Sequence, residues 1–403
     1  MTLRGWEVPC DVLQLTGFDP QHRDLGRSCM RTCGLPTFDP THIIQHRPRR
    51  HQPSLRCIPL NGHLEIHRSR VMVVVLDRYD RPLRDLRISV TDRCNLRCTY
   101  CMPSEIFGPE FPFLPRSEIL TFEEITTIVD VARSMGVRKV RITGGEPLLR
   151  RDLPHLIRMI RNLSPDLDLA LTTNGVLLAR QLDELQRAGL SRVTVSLDAL
   201  DAGTFERITD AGTSVGTVLD GIDAAVASGL PVKVNSVIRS GWNESEVLPL
   251  AARFKGTPVE LRFIEFMDVG TTNGWRMDQV ITGAMMRTWL TELGQLEPIG
   301  RIAATDVAQR WSWADGTGTI GFIESISNPF CGACSRMRVT ADGHLHTCLF
   351  SAHGTDLRPT LRGEGDIESL IMDIWSARTD RYSEERGKVS SPAERVEMSF
   401  IGG

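Results

Sequence analysis

Leu86-Arg87-Ile88-Ser89-Val90-Thr91-Asp92-Arg93-Cys94-Asn95-Leu96-Arg97-Cys98-Thr99-Tyr100-Cys101 joins a strand-like run directly to three cysteines. Residues 86–90 alternate apolar and polar side chains, as a half-buried strand does. The cysteines follow at C-x₃-C-x₂-C, so a loop of a few residues can turn all three sulfurs inward. Most electron-transfer [4Fe–4S] clusters take four cysteines. Three leave one iron open, and an open position marks a catalytic metal site rather than a closed structural one. Zinc with a distant fourth ligand is the alternative, although this is not a zinc-finger spacing.

Working outward, strand patterns recur at residues 138–143, 167–172, 192–197, 232–238 and 260–266. Between them, residues 122–135, 152–163, 179–188, 215–228 and 244–254 read as helices. Thr121 precedes Glu123 and Glu124 as an N-cap with first-turn acids. Gly136, Gly189 and Gly229 stand where helices should stop. Strand–helix alternation at about 30 residues per unit means parallel βαβ units. The fold class is α/β: an incomplete (βα)6 TIM-type barrel over residues 71–300, short of the usual eight strands. From about residue 300 the rhythm breaks. Trp311, Trp313, Gly316, Gly318 and Gly321 suggest hairpins or loops, Asp342-Gly343 a turn. Residues 301–403 form a separate C-terminal extension.

The strand ends carry polar groups. Thr143-Gly144-Gly145-Glu146-Pro147 follows the second strand, its glycines able to admit a ligand close to the backbone and Glu146 able to face an ammonium. Ser196 and Asp198 follow the fourth strand and Met267 the sixth, where such barrels place their active sites. A second trio, Cys331, Cys334 and Cys348, is again one ligand short. Its C-x₂-C spacing by itself favours zinc, with His344, His346 or His353 as a fourth ligand. If the following residues form a strand, Arg336 and Arg338 share a face, and paired guanidiniums suit phosphate oxygens. Only four lysines occur among 47 Lys and Arg residues. Lys233 sits in the fifth strand, Arg87 in the first and Arg141 in the second. Buried cations of this kind need anion partners, either carboxylates or an anionic substrate such as a polyphosphate.

Composition narrows the class. The chain has 403 residues, 41% hydrophobic and 24% charged, with a net charge of −3, so no positive field argues for nucleic acid. No apolar run reaches membrane-spanning length, and the start does not read as a secretory signal. A reducing, cytoplasmic setting follows, in which ten cysteines do not imply disulfides. The first 70 residues hold ten Arg, no Lys and six of the ten His, with poor apolar periodicity. They read as a disordered extension, or as the result of an early start codon, since Met72 opens the patterned region. Cys29 and Cys33 with His42 and His46 are either a metal site or scattered residues of that arm. Cys10 and Cys57 have no assignable role.

The first cysteine loop, with Tyr100 before its last cysteine, resembles that of the radical S-adenosylmethionine superfamily. The Gly-Gly-Glu-Pro segment resembles its second motif. Residues 85–94, 141–148, 171–175, 195–199 and 262–267, the second trio and Gly402-Gly403 together resemble the GTP 3′,8-cyclase family of molybdenum cofactor biosynthesis over about residues 77–403. That resemblance implies two [4Fe–4S] clusters, one on Cys94, Cys98 and Cys101 and one on Cys331, Cys334 and Cys348, which reverses the zinc preference for the second trio. It implies S-adenosylmethionine contacts from Tyr100, Gly145, Ser196 and Met267. It implies GTP contacts from Arg87, Arg141, Thr172, Lys233, Arg336, Met337 and Arg338. A 5′-deoxyadenosyl radical would take hydrogen from the ribose C3′, and the carbon radical would add to C8 of guanine. An external electron donor completes the reaction, and the product passes to cyclic pyranopterin monophosphate synthase. The Gly-Gly tail resembles a C-terminus that enters the active site. Monomer and homodimer both remain open. The competing readings are a peptide-modifying radical enzyme with an auxiliary cluster and a zinc-binding interaction protein.

Overall fold

The computed structural model describes residues 74–387 and 395–402. The expectations for residues 1–70, including Cys10, Cys29, Cys33 and Cys57, lie outside the described residues. Six βα units appear in the expected order: β1 (Asp85–Ser89), α1 (Phe122–Ser134), β2 (Lys139–Thr143), α2 (Leu153–Leu163), β3 (Asp168–Thr173), α3 (Leu178–Arg187), β4 (Arg192–Ser196), α4 (Ala202–Thr209), α5 (Val215–Ala227), β5 (Val232–Ile238), α6 (Val247–Phe254), β6 (Glu260–Glu265) and α7 (Gly283–Leu290). Helices α4 and α7, eight residues each, were not among the stretches read as helices. Thr121 and Glu124 close a full capping box at α1, with Glu124 N–H on Thr121 Oγ1 at 3.2 Å and Thr121 N–H on Glu124 Oε2 at 2.8 Å. Gly136, Gly189 and Gly229 end α1, α3 and α5 at φ of 106°, 99° and 78°, the left-handed region that stops a helix.

The C-terminal stretch contributes β7 (Leu296–Gly300), β8 (Gln309–Trp313), β9 (Thr319–Ile323), β10 (Arg336–Val339), β11 (His344–His346) and β12 (Thr355–Asp356). These do not stand apart from the barrel. Strand β10 pairs parallel with β1, and β9 pairs parallel with β6, so the six-stranded arc is extended at both edges. The sheet order is β12-β11-β10-β1-β2-β3-β4-β5-β6-β9-β8-β7. Helices α8 (Arg358–Arg362), α9 (Ile367–Ser376), α10 (Tyr382–Glu385) and α11 (Met398–Ile401) follow. Hairpin β8–β9, with Trp311 opposite Ile320, accounts for the Trp- and Gly-rich stretch.

Period-two alternation divides the sheet into two faces. Leu86, Ile88, Val140, Ile142, Leu169, Leu171, Val193, Val195 and Val234 are essentially inaccessible and belong to the core shared with the helices. Each such side chain contributes about 1.5–3 kcal/mol of burial. The opposite face carries Arg87, Lys139, Arg141, Thr172, Arg192, Lys233 and Asn235 and lines a cavity of about 590 Å³. Among the described residues no helix is long and apolar enough to cross a membrane.

Candidate functional site

The cavity joins the two cysteine trios. Cys94, Cys98 and Cys101 follow β1 and therefore lie at the carboxyl end of the parallel strands. Cys331 and Cys334 precede β10, and Cys348 follows β11, which runs antiparallel to β10. Because β10 is parallel to β1, the second trio sits at the opposite, amino end. All six cysteines are free, half-buried and part of the cavity wall.

Around the first trio, the glycines after β2 admit backbone rather than ligand. A Cβ on Gly144 would collide with Thr91, and one on Gly145 with Arg93. Gly145 N–H reaches Thr91 C=O at 2.8 Å and Glu146 N–H reaches Arg93 C=O at 2.7 Å, which clamps the cysteine loop to β2. Gly145 still lines the cavity, as do Tyr100, Ser196 and Met267. The expectation that Glu146 faces an ammonium is corrected. Glu146 is fully buried and accepts from Leu148 N–H, Thr173 Oγ1 and Asn174 N–H at 2.9, 2.7 and 2.7 Å. It ties the end of β2 to that of β3, and burial raises its carboxyl to about 7 against these three donors. Tyr100 donates to Asp198 Oδ2 at 2.7 Å, while Asp198 Oδ1 accepts from Val237 N–H at 2.8 Å. Burial pushes all three thiols up, Cys94 to about 11 and Cys98 and Cys101 higher, with Cys94 adding to the rise of both others and Cys101 to that of Cys98. A bound metal would be needed to hold them as thiolates.

The cations of the strand face between the trios fall into two sets. Three are paired: Lys139 with Asp85 at 3.2 Å, Arg192 with Asp168 at 2.7 Å and Lys233 with Glu260 at 3.3 Å. Three others, Arg338, Arg87 and Arg141, stand directly opposite one another across β10, β1 and β2. Like charges in direct cross-strand register destabilise a sheet. Arg141 is buried and donates only to Thr172 Oγ1 and Thr194 Oγ1, at 2.7 and 3.0 Å. Burial, then Arg87, holds its guanidinium well below the ordinary range. Burial, then Arg336, lowers Arg87 to about 10. The sequence left each cation with either a carboxylate or a substrate anion as partner. The structure divides them: Lys233 has its carboxylate, whereas no carboxylate among the described residues forms an ion pair with Arg87 or Arg141. Nine cationic side chains and five carboxylates line the cavity, which leaves a positive wall suited to a polyanion.

At the second trio, Cys334 Sγ accepts from Arg336 Nη2 at 3.3 Å and Arg378 Nη2 at 3.2 Å. Burial pushes its thiol up, but the two guanidiniums outweigh that and leave it at about 6. Cys348 has no such balance and is pushed up to about 12 by burial, then Asp380. His344, His346 and His353, the fourth-ligand candidates for zinc, do not line the cavity. No group of His, Cys, Asp and Glu among the described residues converges on one metal ion. A multi-iron cluster would ask for something else, since each cysteine would bind a separate iron.

Met337 departs from its expected place. Its neighbours Arg336 and Arg338 face the cavity, so alternation turns Met337 into the core, where it is fully buried. The terminal segment does enter the cavity. Met398 and Ser399 line it, Ser89 Oγ donates to Phe400 C=O at 2.9 Å, and Arg338 Nη1 donates to the carbonyls of Ile401 and Gly402. Gly402, at φ 72°, lies so close to Thr143 that a Cβ would not fit. Gly403 is outside the described residues. Lys139, Asn174, Arg192, Arg262 and Arg378 also line the site without having been singled out. Lys139 was legible, since it shares a strand face with Arg141. Arg378, just beyond α9, carries no local signal.

Residues 88–254 match the Radical SAM superfamily model and residues 259–384 match Molybdenum Cofactor Synthesis C. A GTP 3′,8-cyclase of Acidothermus cellulolyticus is 48% identical over 82% of this chain and 99% of its own. One from Xanthomonas axonopodis pv. citri is 49% identical over 81% and 98%, and one from Staphylococcus epidermidis 42% identical over 82% and 99%. Among solved structures, Streptococcus suis SuiB bound to S-adenosylmethionine overlays with a TM-score of 0.53 at 13% identity, covering 78% of this chain and 71% of that one. At that identity the likeness speaks for the fold alone.

Proposed function

The chain belongs to the GTP 3′,8-cyclase family of the radical S-adenosylmethionine superfamily, and from that premise we propose that it converts GTP to (8S)-3′,8-cyclo-7,8-dihydroguanosine 5′-triphosphate, the opening step of molybdenum cofactor biosynthesis. The observation that supports the substrate is the Arg338–Arg87–Arg141 row, three cations in register of which Arg87 and Arg141 have no carboxylate ion-pair partner among the described residues. A triphosphate supplies an anionic partner. Residues 71–300 are assigned the radical chemistry and residues 301–403 the second cluster and tail.

Cys94, Cys98 and Cys101 hold the radical-generating [4Fe–4S] cluster of the superfamily, and Cys331, Cys334 and Cys348 are assigned a second. Bound S-adenosylmethionine and its cluster supply one-electron chemistry at the ribose C3′ of GTP. Tyr100, Gly145, Ser196 and Met267, which line the cavity, orient S-adenosylmethionine at the carboxyl ends of the strands. Arg87, Arg141, Thr172, Lys233 and Arg338 orient GTP along the strand face, with Arg336 beside the second cluster; Met337 can take part only through its backbone. An external one-electron donor, a cytoplasmic setting and delivery of product to cyclic pyranopterin monophosphate synthase complete the reading.

Anaerobic incubation of reconstituted protein with GTP, S-adenosylmethionine and a reductant tests it. The expected result is a cyclised nucleotide that keeps its triphosphate. Failure to bind or turn over GTP in a sample holding both clusters would reject it, and stoichiometric zinc without sulfide would favour an interaction protein.

Lys233 adds a pH signature. Burial, then Arg262, lowers its ammonium to about 8, with Glu260 opposing. The folded chain thus gives up a proton that the unfolded chain still holds, so nucleotide-free stability rises with pH from about 8 toward the ordinary lysine range. A triphosphate beside Lys233 restores the proton. GTP binding at pH 8 is expected to take up about half a proton per chain. Calorimetry in buffers of different ionisation enthalpy reads this, and Lys233→Met should abolish it.

A further inference from the structure

We propose that Arg378 is a positioning residue for the second iron–sulfur site, fixing Cys334 and raising that cluster's reduction potential above the first cluster's; this rests on the second cluster assigned above. Arg378 comes from the end of α9 and its side chain is 1% exposed. It holds Cys334 at two atoms, donating from Nη1 to the carbonyl at 2.7 Å and from Nη2 to Sγ at 3.2 Å. That two-pronged grip leaves little freedom in how the sulfur points.

Arg378 is itself locked. Nη1 also donates to Asp77 Oδ2 at 3.3 Å, and the guanidinium lies over the Trp375 ring at 4.7 Å. Asp77 is buried and is held independently by Arg81 Nε at 2.6 Å and by the Tyr79 and Arg81 amides at 2.9 and 3.0 Å. Arg81 Nη1 donates to the carbonyls of Cys331 and Asp380, at 2.9 and 2.8 Å. The cluster therefore pins both cysteines of the C-x₂-C turn from behind. Such outer partners orient ligands and tune the metal.

The two trios differ in the charge around them. Cys94 accepts from neutral donors, Leu96 N–H at 3.4 Å and Asn174 Nδ2 at 3.8 Å, and the acids Glu146, Asp198 and Glu397 act on the first trio, with Arg97 opposing them at Cys94. Cys334 accepts from two guanidiniums; the opposing acid at the second trio, Asp380, acts on Cys348 and is itself paired with Arg378 Nε at 3.4 Å. Hydrogen bonds to sulfur and local charge set cluster potentials, and positive charge favours the reduced cluster. The second site should therefore reduce first.

Redox titration of the anaerobically reconstituted full chain, followed by electron paramagnetic resonance, tests this alongside iron and sulfide analysis. Cys348→Ser, expected to hold only the first cluster, identifies the two signals. The parent should hold about eight irons, as two [4Fe–4S] clusters, and show a higher potential for the second. Arg378→Gln leaves Asp77 paired with Arg81 but removes the charge, both from Cys334 and from Asp380 beside Cys348. It should make reduction of the second cluster about tenfold less favourable, about 59 mV for one electron, with the first unmoved. Arg378→Lys keeps the charge without the fork and should recover part of the shift. Loss of only the second cluster from Arg378→Gln, with iron retained in Arg378→Lys, also supports the positioning role. Full iron with an unmoved second potential in Arg378→Gln overturns the proposal. A parent with about four irons overturns the second-cluster assignment instead.

Discussion

Arg141→Met is expected to weaken GTP binding by about 100-fold, roughly 2.7 kcal/mol, while leaving the nucleotide-free protein at least as stable as the parent. The two effects have opposite signs for one reason. Arg141 is a buried cation whose hydrogen bonds go only to the hydroxyls of Thr172 and Thr194, and its register neighbour is Arg87. An unpaired buried charge costs free energy, and replacing it with an apolar side chain of similar length removes that cost. With a triphosphate bound, the same guanidinium becomes half of a desolvated ion pair. Truncating one partner of such a pair costs about 2–5 kcal/mol. Thermal unfolding without nucleotide and equilibrium GTP binding measure the two quantities. A lower melting temperature together with unchanged GTP affinity would mean that Arg141 is a structural cation and would remove the main support for a polyphosphate in this cavity.

Cys101→Ser and Cys348→Ser should both abolish cyclised product, but by separable routes. Cys101→Ser is expected to lose the first cluster and with it S-adenosylmethionine cleavage, so no 5′-deoxyadenosine forms. Cys348→Ser should keep S-adenosylmethionine binding and lose GTP turnover. The separation follows from topology. The first trio lies at the carboxyl end of the strands, the second at the amino end of β10, with the Arg338–Arg87–Arg141 row between them. Equal loss of cofactor binding in both variants would contradict two independent sites. Because a serine hydroxyl is a poor substitute for a thiolate ligand, each variant should also lose about half of the iron, read by elemental analysis.

Much of this site was legible before any tertiary contact was known. Period-two alternation already placed Arg336 and Arg338 on one face and Met337, though named with them, on the other. Strand–helix rhythm placed the first trio, Gly144-Gly145, Ser196 and Met267 at the same end of a parallel sheet, because βα units all point one way. Glu146 was misread because its direction depends on a turn and not on strand alternation. The structure aims it inward, at Thr173 and Asn174. Lys233 looked as needy of an anion as Arg141 until Glu260, 27 residues later, proved to reach it. Arg378 stayed invisible because nothing local distinguishes it from any arginine near a helix end.

The amino-acid sequence by itself determined the parallel barrel, the incomplete ligand set of the first trio and the faces on which the strand cations lie, since spacing and alternation are local properties of the chain. Only the tertiary structure decided what those cations meet. Parallel pairing of β10 with β1 joins residues about 250 apart in sequence and places Arg338 beside Arg87 and the second trio across the cavity from the first. Charge pairing, and therefore which guanidiniums remain open to a substrate, depends on distances of a few ångströms between strands, and no local periodicity encodes these.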